Sequence, residues 1–248
     1  EIYLRQRKCS WNTVSTYMKV LRAVYNRAVD EGYALYIPRL FKHVHTSVCA
    51  DQRRALEATD IGNLLQEAEQ MPTRTALPLE LQRTKIIFAL MFLLRGIPFV
   101  DLVYLRKTDI QGNVLKYRRR KTGRSLTVRL TPEAMRLIRI VANTEVQSPY
   151  LLPFLSSPEG TEAAYHEYQS ALRLFNHRLS LLNRYMKSNA HLSSYTIRHT
   201  WATMAYYCEI HPGIISEAMG HSSIKVTETY LKPFQNQKID HANQEVIS

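Results

Sequence analysis

The chain is poor in the residues that build loop-rich or disulfide-held folds, with 8 glycines, 10 prolines and 3 cysteines in 248 residues. So few turn formers exclude a collagenous or low-complexity chain and argue against an all-β fold, which needs a turn roughly every ten residues. Cys9, Cys49 and Cys208 are odd in number and far apart. They make neither a disulfide framework nor a CxxC metal site, which fits a reducing cytosol. The longest apolar run, Ile86 to Leu94, is too short to span a bilayer, and no basic-then-apolar leader opens the chain. No membrane partner is expected, and the expected location is cytoplasmic.

Acidic charge is scarce as well. Against 33 Lys and Arg there are 21 Asp and Glu, a net +12 that suits a polyanionic partner. Between Arg106 and Leu130 stand nine basic residues and one acid, Asp109, so this short stretch carries +8 of that surplus. A solvated basic face is the plain alternative to a nucleic-acid contact, but the residues share one compact element.

The 45% hydrophobic content is enough for one large core or two smaller ones. Val14, Tyr17, Leu21, Val24 and Ala28 recur at helical spacing, which predicts an amphipathic helix over 13–29 closed by Gly32 and Pro38. Residues 38–55, without clear periodicity, read as a linker, and a larger domain starts near Leu56. Thr59 can cap a helix carrying Ile61, Leu64, Leu65 and Ala68. Pro78 can open the next, nearly all apolar through Leu94 and ended by Gly96, which should be the central core helix. Pro98 restarts a short helix. Alternating Val114, Lys116 and Arg118, a Thr122-Gly123 turn, then Leu126, Val128 and Leu130 predict a β-hairpin with a basic tip. Thr131-Pro132-Glu133 starts a helix through Val141, and Thr161 a longer one.

Three groups can carry chemistry. The hairpin has Lys121 at its tip, with Lys116, Arg118, Arg119, Arg120 and Arg124 beside it as candidate DNA contacts. Arg118, Arg119 and Arg120 cannot all share one strand face, so at least one must turn away from whatever the others bind. Ser193-Ser194 can cap a helix that sets Arg198 in its first turns, where the positive helix end already favours an anion and a guanidinium can hold a phosphate by two hydrogen bonds. His199 beside it is either a packed core residue or a further DNA contact. Then Gly220 stops a helix, His221-Ser222-Ser223 form a tight turn, and Tyr230 opens or sits within a short helix beyond it. A tyrosine is a poor nucleophile unless cations and hydrogen bonds favour the phenolate.

Arg198-His199-Thr200-Trp201, Gly220-His221-Ser222-Ser223-Ile224 and Tyr230 nine residues after the histidine resemble the C-terminal boxes of the tyrosine recombinases, or phage-type integrases. Lys121-Thr122-Gly123 resembles that family's lysine hairpin, Thr13 to Gly32 the end of its core-binding domain, and Leu94 to Leu102 the integrases of Bacteroides-type mobile elements. The resemblance implies a mainly α fold with a small antiparallel sheet (α+β). Its expected parts are the end of a helical, SAM-like core-binding domain at 1–37, a linker at 38–55, a catalytic domain at 56–230 and a tail at 231–248 that relatives exchange between protomers. Starting at Glu1 without Met, the chain reads as a fragment.

The resemblance also implies a site-specific recombinase that cuts double-stranded DNA through a 3′-phosphotyrosyl link. Tyr230 would attack, Arg198 clamp the non-bridging oxygens, Lys121 protonate the leaving 5′-oxygen and His221 donate to the phosphate. No cofactor and no metal are expected, and the His43, His45 and Cys49 group has poor spacing for zinc. Partners implied are a homotetramer on paired sites, a monomer off DNA and an accessory directionality factor. Two positions depart from the family pattern. Pro98 stands where the first arginine belongs, and Arg95, one turn earlier, reaches the same pocket only if its helix continues through it. Tyr195 stands where a histidine is usual. Asp101 either orients a catalytic arginine or is a surface acid. A type IB topoisomerase, and a DNA-binding protein that keeps the fold without turnover, are the other readings.

Overall fold

A computed structural model describes residues 1–47, 55–62, 77–185, 192–231, 234 and 236–247. The chain divides into two compact units, Glu1–Gln52 and Arg53–Ser248. Cys49, the Arg53-Arg54 pair, Leu64, Leu65 and Ala68 lie outside the described residues.

In the first unit, α1 (Ile2–Gln6) precedes α2 (Trp11–Asp30), whose first turn is capped by the Ser10 hydroxyl accepting from the Thr13 amide at 3.2 Å. The predicted 13–29 helix is thus found, two residues longer at its start. Tyr25 closes the unit by donating to the Leu35 carbonyl at 2.7 Å and accepting from the Ile37 amide at 2.8 Å.

In the second unit, α3 (Leu79–Leu93) is the central helix, packed against α5 (Pro132–Val141), α6 (Glu162–Tyr185) and α7 (Thr196–Tyr207). Its nearly all-apolar sequence is what a helix surrounded by others requires. Phe88, Leu90 and Met91 are fully buried there, with Leu94, Ile97 and Leu102 beyond the helix end. Burying each such side chain stabilises the fold by roughly 1.5–3 kcal/mol. Pro98 caps α4 (Phe99–Val103). Strands β1 (Ile110–Gln111), β2 (Val114–Arg118) and β3 (Ser125–Arg129) form an antiparallel sheet in chain order, with Val114 opposite Arg129 and Arg118 opposite Ser125. β1, only two residues long, has no alternation to betray it.

Thr131 and Thr161 start α5 and α6 as their positions suggest, their hydroxyls accepting from the amides of Ala134 at 3.1 Å and Ala164 at 3.2 Å. After α7 come α8 (Pro212–Met219), α9 (Ile224–Glu228) and α10 (Asn236–Ile247). The Phe234 ring stacks on Tyr206 at 4.4 Å, and Lys238 Nζ reaches the Tyr207 carbonyl at 3.1 Å and Glu209 at 3.0 Å. No helix among the described residues is long and apolar enough to cross a membrane.

Candidate active site

Three local features deliver side chains to one place. Tyr195, not Ser193 or Ser194, is the N-cap of α7 and makes no side-chain cap bond; the Ser193 hydroxyl, in the turn before it, accepts from the Thr196 amide at 3.3 Å, and Arg198 projects from the first turn. α8 ends at Gly220 in the left-handed conformation (φ 65°), and the His221 amide turns back to the Ser216 carbonyl at 2.9 Å. A β-carbon on Gly220 would lie 3.0 Å from Arg119 Cγ and 3.1 Å from Leu126, so only glycine lets the hairpin close on this turn. α9 ends at Glu228, and Tyr230 follows it, with its amide bonded to the Thr227 carbonyl at 2.9 Å. Tyr230 therefore lies just beyond the short helix rather than opening it or sitting within it.

Arg198 is 2% exposed and surrounded by acceptors. Its Nη1 donates to the Gly96 carbonyl at 2.8 Å, and its Nη2 to the Met219 carbonyl at 2.6 Å and His221 Nε2 at 2.8 Å. A guanidinium has only donors, so Nε2 accepts and the imidazole proton sits on Nδ1, 2.8 Å from Thr227 Oγ1. Burial, with Arg198, Arg119 and Lys121 nearby, pushes the His221 pKa down to about 3, so the ring is neutral. Burial and the charge of Arg119 likewise lower that of Arg198, with Tyr230 opposing.

The Tyr230 ring lies 5.7 Å from the Arg198 guanidinium, stacks on His221 at 4.8 Å and packs on His199 at 4.5 Å. Its backbone carbonyl accepts from Thr203 Oγ1 at 3.0 Å, and its buried ring joins a small core with Ala202, Ala205, Ile215 and Met219. Its hydroxyl bonds that of Tyr195, whose own ring is exposed. His199 packs against both tyrosines, its ring 5.0 Å from that of Tyr195.

The hairpin splits its cations. Lys121 is exposed at the tip, close enough to act on His221, while Thr122 Oγ1 reaches the Gly220 carbonyl at 3.3 Å and Arg124 donates to the His221 carbonyl. Lys116 and Arg118 face outward, and Arg118 Nε donates to the Gly123 carbonyl at 2.6 Å. Arg120 is tied to Glu159 and lies over the Tyr104 ring at 3.7 Å. Arg119 is the one of the three arginines that turns away. Expected among the DNA contacts, it is 6% exposed, on the inward side with Leu115 and Tyr117 as the alternation of β2 runs on past Arg118. Its Nε meets Asp101 Oδ2 at 2.6 Å, off line for a hydrogen bond, and its Nη1 donates to the Met219 carbonyl.

Asp101 is buried, not a surface acid, and also accepts from the Arg120 amide at 2.9 Å. Burial raises its pKa, against that amide and the charges of Arg119 and Arg198. The helix does not continue through Arg95: α3 ends at Leu93, and Arg95 (φ 61°) and Gly96 (φ 64°) form a left-handed turn, from which Arg95 is close enough to act on Tyr117. A β-carbon on Gly96 would stand 3.0 Å from Arg198 Cα, and this close approach is what brings the Gly96 carbonyl to the guanidinium. Sequence reasoning missed the Gly96 and Met219 carbonyls and Thr227. Only the alternation Leu115, Tyr117, Arg119 carried a signal, for the burial of Arg119.

A tyrosine hydroxyl held beside a buried arginine, a neutral histidine and a nearby lysine has the chemistry that phosphoryl transfer through a tyrosine requires. The phage integrase family matches residues 54–237 and the phage integrase SAM-like domain residues 1–42, and the chain belongs to the phage integrase family. It is a tyrosine-type, site-specific DNA strand transferase. Among solved structures, the fold is similar to the Tn1549 transposon integrase in complex with transposon right end DNA, at TM-score 0.68 and 13% identity over 100% of this chain and 83% of that one. It is similar to XerH site-specific recombinase bound to palindromic difH substrate, at 0.69 and 13% over 100% and 70%. A lambda integrase dimer bound to a COC′ core site gives 0.56 and 14% over 86% and 70%. No curated protein matches the chain.

Proposed function

We propose that this chain is the integrase or recombinase of a mobile genetic element, with Tyr230 as its nucleophile. The Tyr230 oxygen attacks the phosphorus of a DNA phosphodiester, the P–O5′ bond breaks, and a 3′-phosphotyrosyl link remains. The phenol proton leaves through the Tyr195 hydroxyl, which bonds Tyr230 from an exposed position. Lys121 gives a proton to the departing 5′-oxygen. That hydroxyl, or its counterpart on a partner strand, later attacks the link and restores the phenol, so bond energy is conserved. Arg198 meets the non-bridging oxygens, where fixed charge in a dry site is worth most. As a phosphate takes Nη2 of Arg198, His221 Nε2 loses its donor. Rotation of the Thr227 hydroxyl then lets the imidazole shift its proton to Nε2 and donate to the phosphate.

The convergence of Tyr230, Arg198 and His221 in one buried cluster, under a hairpin that ends in Lys121, carries this reading. Lys116 and Arg118 are the outward cations assigned to the DNA backbone. The tail is assigned to assembly. The Phe234 stack and the Lys238 contacts with Tyr207 and Glu209 tie its start to the end of α7, and the same contacts made to a neighbour would couple cleavage to a homotetramer on paired sites, with monomers off DNA. An accessory directionality factor and a cytoplasmic, nucleoid location complete the proposal.

The test is covalent trapping on nicked suicide duplexes from candidate attachment sites. A denaturant-resistant protein–DNA adduct is expected, absent with Tyr230→Phe. Tight binding without an adduct in the unsubstituted protein would replace this reading with that of a binding protein.

A further inference from the structure

Two guanidiniums converge on the Met219 carbonyl, Nη2 of Arg198 at 2.6 Å and Nη1 of Arg119. One carboxylate, Asp101, faces them both, and the neighbouring His221 is uncharged. Buried cations short of counter-charge are costly, so a fold that keeps this surplus is completed by an anion. Arg119 is prepared for one. Asp101 aims its Nε edge, the Met219 carbonyl holds Nη1, and Nη2 makes no hydrogen bond to a described residue. Meanwhile Pro98 occupies the position where an arginine is expected. Arg95, in its left-handed turn, is close enough to act on the Tyr117 hydroxyl but is not among the donors to the Met219 carbonyl.

We propose that Arg119 is the second arginine of the phosphate clamp, entering from the hairpin rather than from the turn after α3, with Asp101 as its positioning residue. This rests on the reading of Tyr230 as nucleophile. As the phenolate adds to the phosphodiester, negative charge on the non-bridging oxygens grows, and two guanidiniums divide it. Because Arg119 and Lys121 are next-but-one on the same hairpin, one movement of the hairpin seats both the clamp and the general acid.

A methylphosphonate at the scissile position replaces one charged oxygen by a methyl group, so the reaction needs one cation less. Single-turnover cleavage of a suicide duplex is measured with phosphodiester and with methylphosphonate. Arg119→Ala is expected to slow phosphodiester cleavage by about a hundredfold or more, yet to cleave methylphosphonate within a few-fold of the unsubstituted protein. Arg119→Lys, which keeps the buried charge and so the fold, is expected to show the same selectivity in weaker form. Equal losses on both linkages in both variants would make Arg119 structural and overturn the proposal. So would the selective pattern appearing in Arg95→Ala instead. Absence of a Tyr230-dependent adduct from the unsubstituted protein would sink the nucleophile reading itself, and this assignment with it.

Discussion

The two faces of strand β2 and its continuation carry similar residues to opposite ends. Lys116, Arg118 and Arg120 point outward, where the first stays exposed, the second turns back on Gly123 and the third pairs with Glu159. Leu115, Tyr117 and Arg119 point inward, and there a single guanidinium is held by a carboxylate and a carbonyl. Outward cations act at long range and are screened by salt, whereas the inward one acts through geometry in a medium that screens little. A basic run is therefore not one footprint. The pleat divides it into charge that attracts DNA and charge that builds the site.

The sharpest way to break this comparison is to remove one carboxylate from each side. Asp101→Ala leaves Arg119 buried and unpaired and should cost about 3–5 kcal/mol of stability. Glu159→Ala, which breaks the outer ion pairs with both Arg120 and Arg106, should cost at most about 1 kcal/mol per pair. Denaturant melts of the two variants check both, and equal losses would erase the distinction. Next, Arg198→Lys keeps a buried charge but loses the fork, and should lower the single-turnover cleavage rate by about 10²–10³ while duplex binding, followed by fluorescence anisotropy, changes little.

A smaller effect comes from His221. Its folded pKa near 3 lies below the ordinary 6.5, so the unfolded chain takes up a proton first as the solution is acidified. The stability this ring contributes is whole above about pH 6.5 and is lost as the pH falls toward 3. Melts across that range should show a steeper acid limb than those of His221→Gln. Smallest of all, Lys116→Ala should leave stability within about 0.5 kcal/mol and lower the slope of log binding constant against log salt by about one. A slope unchanged by Lys116→Ala would remove that residue from the DNA contact.

Much of the fold was legible because its signals are local. The Thr131-Pro132 start and Val141 end of α5, the Thr161 start of α6 and the hairpin at 114–118 and 125–129 follow from caps and periodicity that neighbouring residues decide. α1, five residues without a cap hydrogen bond, and β1 offered no such pattern. In the site, the order Lys121, Arg198, His221, Tyr230 was readable as a motif. The inward turn of Arg119 was half readable, since alternation required one of three arginines to turn away but did not say which. Whether the helix continues through Arg95 was not readable, because the left-handed turn before Gly96 depends on how closely that turn must approach α7.

By itself the sequence determined the helices, the hairpin, the positive charge and the residue types from which a phosphoryl-transfer site is made, since each depends on side-chain chemistry and spacing along the chain. Only the tertiary structure decided which cations are buried, which nitrogen of His221 carries the proton and which carbonyls hold Arg198. Those outcomes depend on contacts between separate elements, some about a hundred residues apart, such as Arg198 with Gly96 and Arg119 with Met219, and others nearer, such as Arg198 with His221. No local pattern encodes them, because the free energy that selects them belongs to the packed core as a whole.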